Sequence, residues 1–192
     1  MCASRRPREQ PERPREGRLA HAGCGARMPR DVPYAALPMS AVLKAGGPAL
    51  QPMTDAALGE VLRIESEIYE FPWTHGNFRD SLEAGYSCWL YRDAAGLVGY
   101  AVLMLAADEA HLLNFSIARA LQRRGNGSRL LDEVCAVARG HGAKSMLLEV
   151  RPTNLPGREL YARAGFRQIG VRRGYYPGRG GREDALVLAH DL

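Results

Sequence analysis

Paired cysteines are what this chain most plainly lacks. Cys2, Cys24, Cys88 and Cys135 form no Cys-x-x-Cys pair and no regular spacing, which excludes a disulfide framework and a zinc ribbon. Idle thiols in a reducing compartment remain as the reading. The five histidines follow no ligand spacing, so no metal is assigned. No apolar run reaches transmembrane length, and no basic start leads into an apolar stretch. Neither a membrane span nor a signal peptide is therefore expected, and the chain is read as cytoplasmic. A P-loop is missing too, because no glycine-rich stretch ends in Gly-Lys-Ser or Gly-Lys-Thr. There is no internal repeat.

What is present suits one domain of ordinary size: 192 residues, 46% hydrophobic and 24% charged. The charge is unevenly placed. Residues 1–52 carry nine Lys/Arg against four Asp/Glu, a net of +5, whereas residues 53–192 carry seventeen of each. The first segment also holds eight of the twelve prolines and shows no sustained period. Such a segment buries too little apolar surface to offset the entropy of ordering, so a disordered basic extension is expected over 1–52. It is a passive extension, sequence upstream of a natural start at Met53, or a tail making weak phosphate contacts with nucleic acid. Glu9, Glu12 and Glu16 interrupt the basic run, unlike a transit peptide.

From Thr54 onward the periods become legible. Thr54 is expected to cap a first helix whose apolar face holds Leu58, Val61, Leu62, Ile68 and Tyr69. Phe71-Pro72-Trp73 breaks it, and Thr74 to Leu82 reads as a second helix. Tyr86–Tyr91, Leu97–Leu105 and Ala110–Ala118 read as strands separated by turns. Lys144–Arg151 is a fourth strand. Asn154 can cap a helix running through Ala164, which Gly165 stops. Phe166–Arg173 and Ala185–His190 then close as an antiparallel pair. The order predicts a mixed α/β sheet with helices on both faces.

Between the third and fourth strands lies Gln122-Arg123-Arg124-Gly125-Asn126-Gly127-Ser128, opening a helix in which Leu130, Leu131, Val134, Val137 and Ala138 recur at helical spacing. A strand, a tight two-glycine loop and a helix N-terminus make an anion cradle. Glycine lets the backbone approach a ligand, and the unpaired N–H groups of the first turn point at it. Arg123, Arg124 and Arg129 supply full charges around it. A dinucleotide fingerprint would want a third glycine where this chain has Leu130.

Two further residues bear on chemistry. Glu149 follows Met146-Leu147-Leu148 and precedes Val150. A carboxylate partly desolvated at a strand end gains basicity, but one paired with Arg151 or Arg119 would be a mere rim charge. Tyr161 lies seven residues past Asn154, so two helical turns place both on one face. Its phenol is either core packing or a proton donor. The stretches Tyr175-Tyr176 and Arg179 to Arg182 are either an entrance wall or a solvated hairpin tip.

The cradle pattern Gln/Arg-x-x-Gly-x-Gly/Ala resembles the acyl-CoA pyrophosphate loop of the GNAT N-acetyltransferases. Further stretches fall in order: Glu70-Phe71-Pro72-Trp73-Thr74, Asp108-Glu109-Ala110, Leu148-Glu149-Val150-Arg151-Pro152-Thr153-Asn154, Leu160-Tyr161 with Gly165-Phe166, and Arg172-Arg173-Gly174-Tyr175-Tyr176-Pro177 through Gly181-Arg182-Glu183-Asp184-Ala185. Together they resemble the bacterial RimI family, the ribosomal-protein-alanine N-acetyltransferases, over Met53 to His190. The resemblance implies the GNAT fold for residues 53–192. It also implies transfer of acetyl from acetyl-CoA, as cosubstrate, to the N-terminal alanine amine of the eighteenth small-subunit ribosomal protein, by a monomer. It places Glu149 as general base, Tyr161 as general acid and Asn154 as a CoA contact. Phe115, Ser116 and Ile117 match the strand that holds acetyl and pantetheine. Arg123, Arg124, Gly125, Asn126, Gly127 and Ser128 match the pyrophosphate loop. Asn126 departs from the aliphatic residue more usual there. Two alternatives stand beside this reading: the same fold acting on lysines, other protein N-termini or small amines, and a CoA-binding or ribosome-associated module without turnover. A binder needs neither Glu149 nor Tyr161.

Overall fold

The structure is a computed structural model that describes residues 47–192. Most of the basic extension expected over 1–52 lies outside the described residues. Seven strands form one sheet in the order β1-β2-β3-β4-β5-β7-β6. They are β1 Ala49–Pro52, β2 Ser87–Asp93, β3 Gly96–Ala106, β4 Glu109–Ile117, β5 Ser145–Val150, β6 Arg167–Gly178 and β7 Gly181–Asp191. Four helices pack on it: α1 Leu58–Ile68, α2 His75–Glu83, α3 Asn126–Gly140 and α4 Leu155–Arg163. All neighbouring strands are antiparallel except β4 and β5. The mixed α/β architecture expected from the sequence is the one observed.

Each face of the sheet has its own apolar core. Leu130, Leu131, Val134 and Ala138 of α3 pack with Leu103, Leu112, Met146 and Leu148 on one side. Leu58, Val61 and Ile64 of α1 pack with Phe78, Leu90, Tyr100 and Val102 on the other. The alternation of β5 follows from this, with Met146, Leu148 and Val150 buried and Leu147 and Glu149 turned to the opposite face.

Two irregularities in β4 prepare the site. Leu103 pairs with Leu112 but Val102 pairs with Asn114, so Leu113 is an extra residue on β4, a bulge. The bulge reverses the alternation, turning Phe115 and Ile117 toward the α3–α4 side, where both pack. In addition, β4 pairs with β5 only from Glu109↔Ser145 to Leu112↔Leu148, although both strands run further. Beyond Leu112 the two part, and a cleft opens between them.

Several boundaries differ from expectation. β1 starts at Ala49, four residues before the expected domain start at Met53. A four-residue strand ending in proline shows no period, which is why the sequence hides it. Thr54 makes no side-chain cap, and a short 3-10 turn, Asp55–Ala57, precedes α1 instead. Thr74 does cap α2, in a reciprocal capping box with Asn77. β6 and β7 run on to Gly178 and Gly181, so the expected Arg179–Arg182 loop shrinks to a tight turn.

Candidate active site

The cleft between the parted strands is continuous with a cavity of about 740 Å³. Its lining brings Arg123, Gly125, Gly127 and Ser128 together with Phe115, Ser116, Ile117, Asn154 and Tyr161. Sequence reasoning named all of these, and the fold brings them together. Arg124, Asn126 and Glu149 do not line the cavity.

The cradle is built by left-handed backbone at two places. Gly125 sits at φ +80° and Arg123 at φ +60°. The first is ordinary for glycine; the second is a strained conformation for arginine. These turns aim the first amides of α3, which have no partner within the helix, at the cavity. Asn126 points the other way: it is buried, and its Nδ2 donates to the Leu121 carbonyl at 2.9 Å. Its side chain therefore staples the loop, and its backbone amide is the group left in the first turn of the helix.

The strand wall is a row of donors. Ala118 N–H donates to Val98 O at 2.9 Å, so alternation turns the amides of Phe115 and Ile117 away from β3 and toward the cleft. Their carbonyls are already engaged. The Tyr69 hydroxyl donates to Phe115 O at 3.3 Å, and Gln122 Nε2 donates to Ile117 O at 3.0 Å. That leaves the two N–H groups for a ligand. Tyr69 also meets Ser116 Oγ at 2.8 Å, and burial pushes its phenol up to about 12.

Tyr161 is buried on α4, edge-on to Phe115 at 6.4 Å and tilted against Phe166 at 5.6 Å. Burial, with Tyr69 and Tyr176 nearby, raises its phenol well above the usual range. It is a protonated donor at any physiological pH. Asn154 caps α4 by accepting from Gly157 N–H at 3.0 Å, so its amide oxygen has a structural use while the residue lines the cavity.

Glu149 lies just behind this lining. Its Oε2 is 2.6 Å from His111 Nε2 on β4, and its Oε1 is 3.2 Å from Arg172 on β6. Neither Arg151 nor Arg119 holds it, as the rim-charge alternative required; they face Glu183 and Glu67. The Glu149 side chain is 5% exposed, and its Oε1 is buried without a hydrogen bond. The Tyr176 hydroxyl donates to the Glu149 carbonyl at 2.9 Å, closing the hairpin over the strand end.

The mouth is assembled from distant segments. Arg151 lies 4.3 Å from the Tyr176 ring centroid and 6.0 Å from that of Phe71, and it bonds Glu183 at 2.6 Å. Arg179 at the hairpin tip pairs with Glu70. Arg179 thus lines the cavity, and Tyr176 backs Arg151 in that lining. Away from the mouth, at the β3–β4 turn, Asp108 pairs with Lys144 at 3.4 Å.

Sequence reasoning missed two residues beneath the site. Glu65 is 2% exposed and accepts from Tyr100 Oη, from Trp73 N–H at 2.8 Å and from Asn114 Nδ2 at 3.3 Å. Tyr69 supports the strand wall as described. The signal for Glu65 was a carboxylate four residues after Val61, on the apolar face of α1. Among the described residues no cluster of His, Cys, Asp or Glu can hold a metal, and no helix is long and apolar enough to cross a membrane.

Comparisons with known proteins agree with this geometry. Residues 58–166 match the acetyltransferase (GNAT) family. The chain is 32% identical over 126 residues to the [ribosomal protein bS18]-alanine N-acetyltransferase of Escherichia coli strain K12, covering 66% of this chain and 85% of that one. The crystal structure of the ribosomal-protein-S18-alanine N-acetyltransferase from Escherichia coli superposes with a TM-score of 0.70 at 28% identity, covering 76% of this chain and 94% of that one. A Bacillus subtilis acetyltransferase in complex with CoA shares the fold, with a TM-score of 0.61 at 18% identity over 77% of this chain and 99% of that one. By both sequence and fold, the chain belongs to the GNAT acetyltransferases, in the ribosomal-protein-alanine N-acetyltransferase family.

Proposed function

We propose that the enzyme transfers acetyl from acetyl-CoA to the N-terminal alanine amine of ribosomal protein S18 in the cytoplasm. The observation that carries the reading is the cleft between β4 and β5, lined by the cradle residues and Tyr161, with Glu149 behind that lining. The residues suit the cosubstrate. First-turn amides of α3 and Arg123 face its pyrophosphate, and the Phe115 and Ile117 amides face its pantetheine and thioester. Asn154 is assigned a CoA contact alongside its capping bond.

Amine attack needs a neutral amine, a polarised carbonyl and a proton for the departing thiolate. An α-amine near pKa 8 is about a hundredfold richer in its neutral form at neutral pH than a lysine near 10.4. Glu149 takes the amine's proton, through one water because it lies behind the cavity lining. The strand amides stabilise charge on the thioester oxygen as it develops. Tyr161 gives its proton to the sulfur.

Mass spectrometry of two peptides incubated with enzyme and acetyl-CoA tests the acceptor. One begins with the free alanine of S18; the other is N-terminally blocked and keeps its lysines. Acetyl on the free alanine alone is the expected result. Acetyl on the blocked peptide would make this a lysine acetyltransferase instead.

A further inference from the structure

Tyr69, at the C-terminal end of α1, reaches into the gap left where β5 parts from β4. Its hydroxyl donates to Phe115 O at 3.3 Å and lies 2.8 Å from Ser116 Oγ. A phenol has one hydrogen, so Ser116 is the donor of the second bond. A directed chain results, from Ser116 O–H to Tyr69 and from Tyr69 O–H to Phe115 O. Ser116 is itself buried, and burial keeps the phenol in its protonated, donating form.

The position of Phe115 gives this chain a chemical consequence. A Cβ on Gly127 would lie 3.9 Å from Ile117 Cγ1, so Ile117 adjoins the cradle. Phe115 stands two residues back along β4, about 7 Å of strand away, and its ring meets that of Tyr161. An acyl-CoA carries its thioester at the end remote from its pyrophosphate. Of the two amides facing the cleft, Phe115 N–H is therefore the donor for the thioester oxygen. In a strand, however, the N–H and C=O of one residue point to the same side. Phe115 thus presents two opposed dipoles to the cleft. Its N–H stabilises negative charge growing on the thioester oxygen, and a bare carbonyl oxygen beside it would oppose that charge. Where strands stay paired, the neighbouring strand covers such a carbonyl; here β5 has parted, and Tyr69 covers it.

We propose that Tyr69 is a positioning residue for acetyl transfer: by occupying Phe115 O it quenches a carbonyl dipole beside the oxyanion site and fixes the residue whose N–H polarises the thioester. Ser116 sets the direction of the phenol's hydrogen. The inference rests on the assignment of the Phe115 amide to the thioester. No bond is made or broken at Tyr69, and its hydrogen stays on the phenol throughout. The effect grows with charge on the oxygen, so it falls on kcat rather than on binding.

The test compares wild type, Tyr69→Phe and Ser116→Ala in two ways. One is kcat and KM for acetyl-CoA with the alanine peptide. The other is the infrared difference spectrum of acetyl-CoA labelled with carbon-13 at the thioester carbonyl, bound without peptide. In wild type the bound carbonyl should absorb at lower frequency than in solution. Tyr69→Phe should lose much of that lowering. Its kcat should fall about tenfold, less than the roughly 10²–10³-fold cost of deleting an oxyanion donor outright, with KM for acetyl-CoA within about twofold. Ser116→Ala keeps the phenol but frees its hydrogen to turn, so both losses should be smaller. It carries the comparison should Tyr69→Phe fail to fold, and wild-type kcat and spectrum in it would then overturn the proposal. Wild-type kcat in a folded Tyr69→Phe, or a rise in KM at unchanged kcat, overturns it too. So does a kcat loss at an unchanged carbonyl frequency, which would reduce Tyr69 to packing. A wild-type carbonyl at its solution frequency would overturn the assignment of Phe115 itself, whereas a lowered frequency that both variants keep overturns the role of Tyr69 alone. The spectra involve no acceptor, so they read the proposal whichever amine the enzyme acetylates.

Discussion

A carboxylate in an apolar core needs every hydrogen bond it can find, and Glu65 finds three. Burial raises its pKa, while Tyr100, Trp73 and Asn114 pull in the opposite direction and lose to it. The consequence for stability has a definite sign. A carboxyl whose folded pKa lies above its unfolded value near 4.5 contributes stability that is fully present below 4.5. That contribution is lost as pH rises through the folded value. Melting temperatures of wild type and Glu65→Gln, taken across this window, should therefore diverge: wild type loses stability relative to the variant as pH rises. Glu65→Leu should cost about 3 kcal/mol, because it orphans the Trp73 N–H and the Asn114 amide. An equal pH slope in wild type and Glu65→Gln would refute the argument. Tyr161→Phe is the corresponding change above the sheet. It removes one oxygen from a well-packed ring, so kcat should fall about 10²-fold while the melting temperature moves by no more than about 3 °C. Circular dichroism melts beside steady-state kinetics separate the two effects.

At the scale of elements, the cradle and the α4 cap show how backbone conformation places the ligand-facing groups. Gly125 at φ +80° admits a side chain only at a cost of about 1–2 kcal/mol. Gly125→Ala should raise KM for acetyl-CoA while leaving peptide KM unchanged. Gly157 has a different constraint, since a Cβ there would lie 2.7 Å from Asn154 Nδ2. Gly157→Ala should break the cap, cost about 1 kcal/mol and lower the melting temperature by a few degrees. Both glycines stand in the sequence next to the residues they serve, so the loop and the cap were legible. The bulge at Leu113 was not, because an extra residue shifts register without changing composition. The bulge nonetheless decides that Phe115 and Ile117 face the α3–α4 side. The partners of Glu149 were hidden for a related reason. His111 and Arg172 come from β4 and β6, and only the strand order joins them.

The whole molecule divides its charge and its edges unequally, and the two facts bear on where the domain begins. The basic excess lies in residues 1–52, and the remainder is balanced; β1, at the end of that segment, is an edge strand of the sheet. All four of its residues pair with β2, and Met53 N–H donates to Cys88 O at 2.9 Å. A start at Met53, the boundary the composition suggested, removes β1 and leaves β2 as an unpaired edge beside the α1 core. A start at Gly47 keeps the strand and discards all of the excess charge. The two shortened chains should therefore behave differently. The Gly47 form should melt within about 2 °C of the full chain and acetylate the alanine peptide at the same kcat/KM. The Met53 form should lose roughly 2–4 kcal/mol with the ladder and its Leu50 packing, and melt about 10 °C lower. Scanning calorimetry of the three chains, with peptide kinetics on each, makes the comparison. Equal melting of the two shortened forms would show that β1 adds nothing to the sheet. A Gly47 form that folds but fails on the peptide would place part of the substrate contact in the basic extension, through charge that residues 53–192 do not supply.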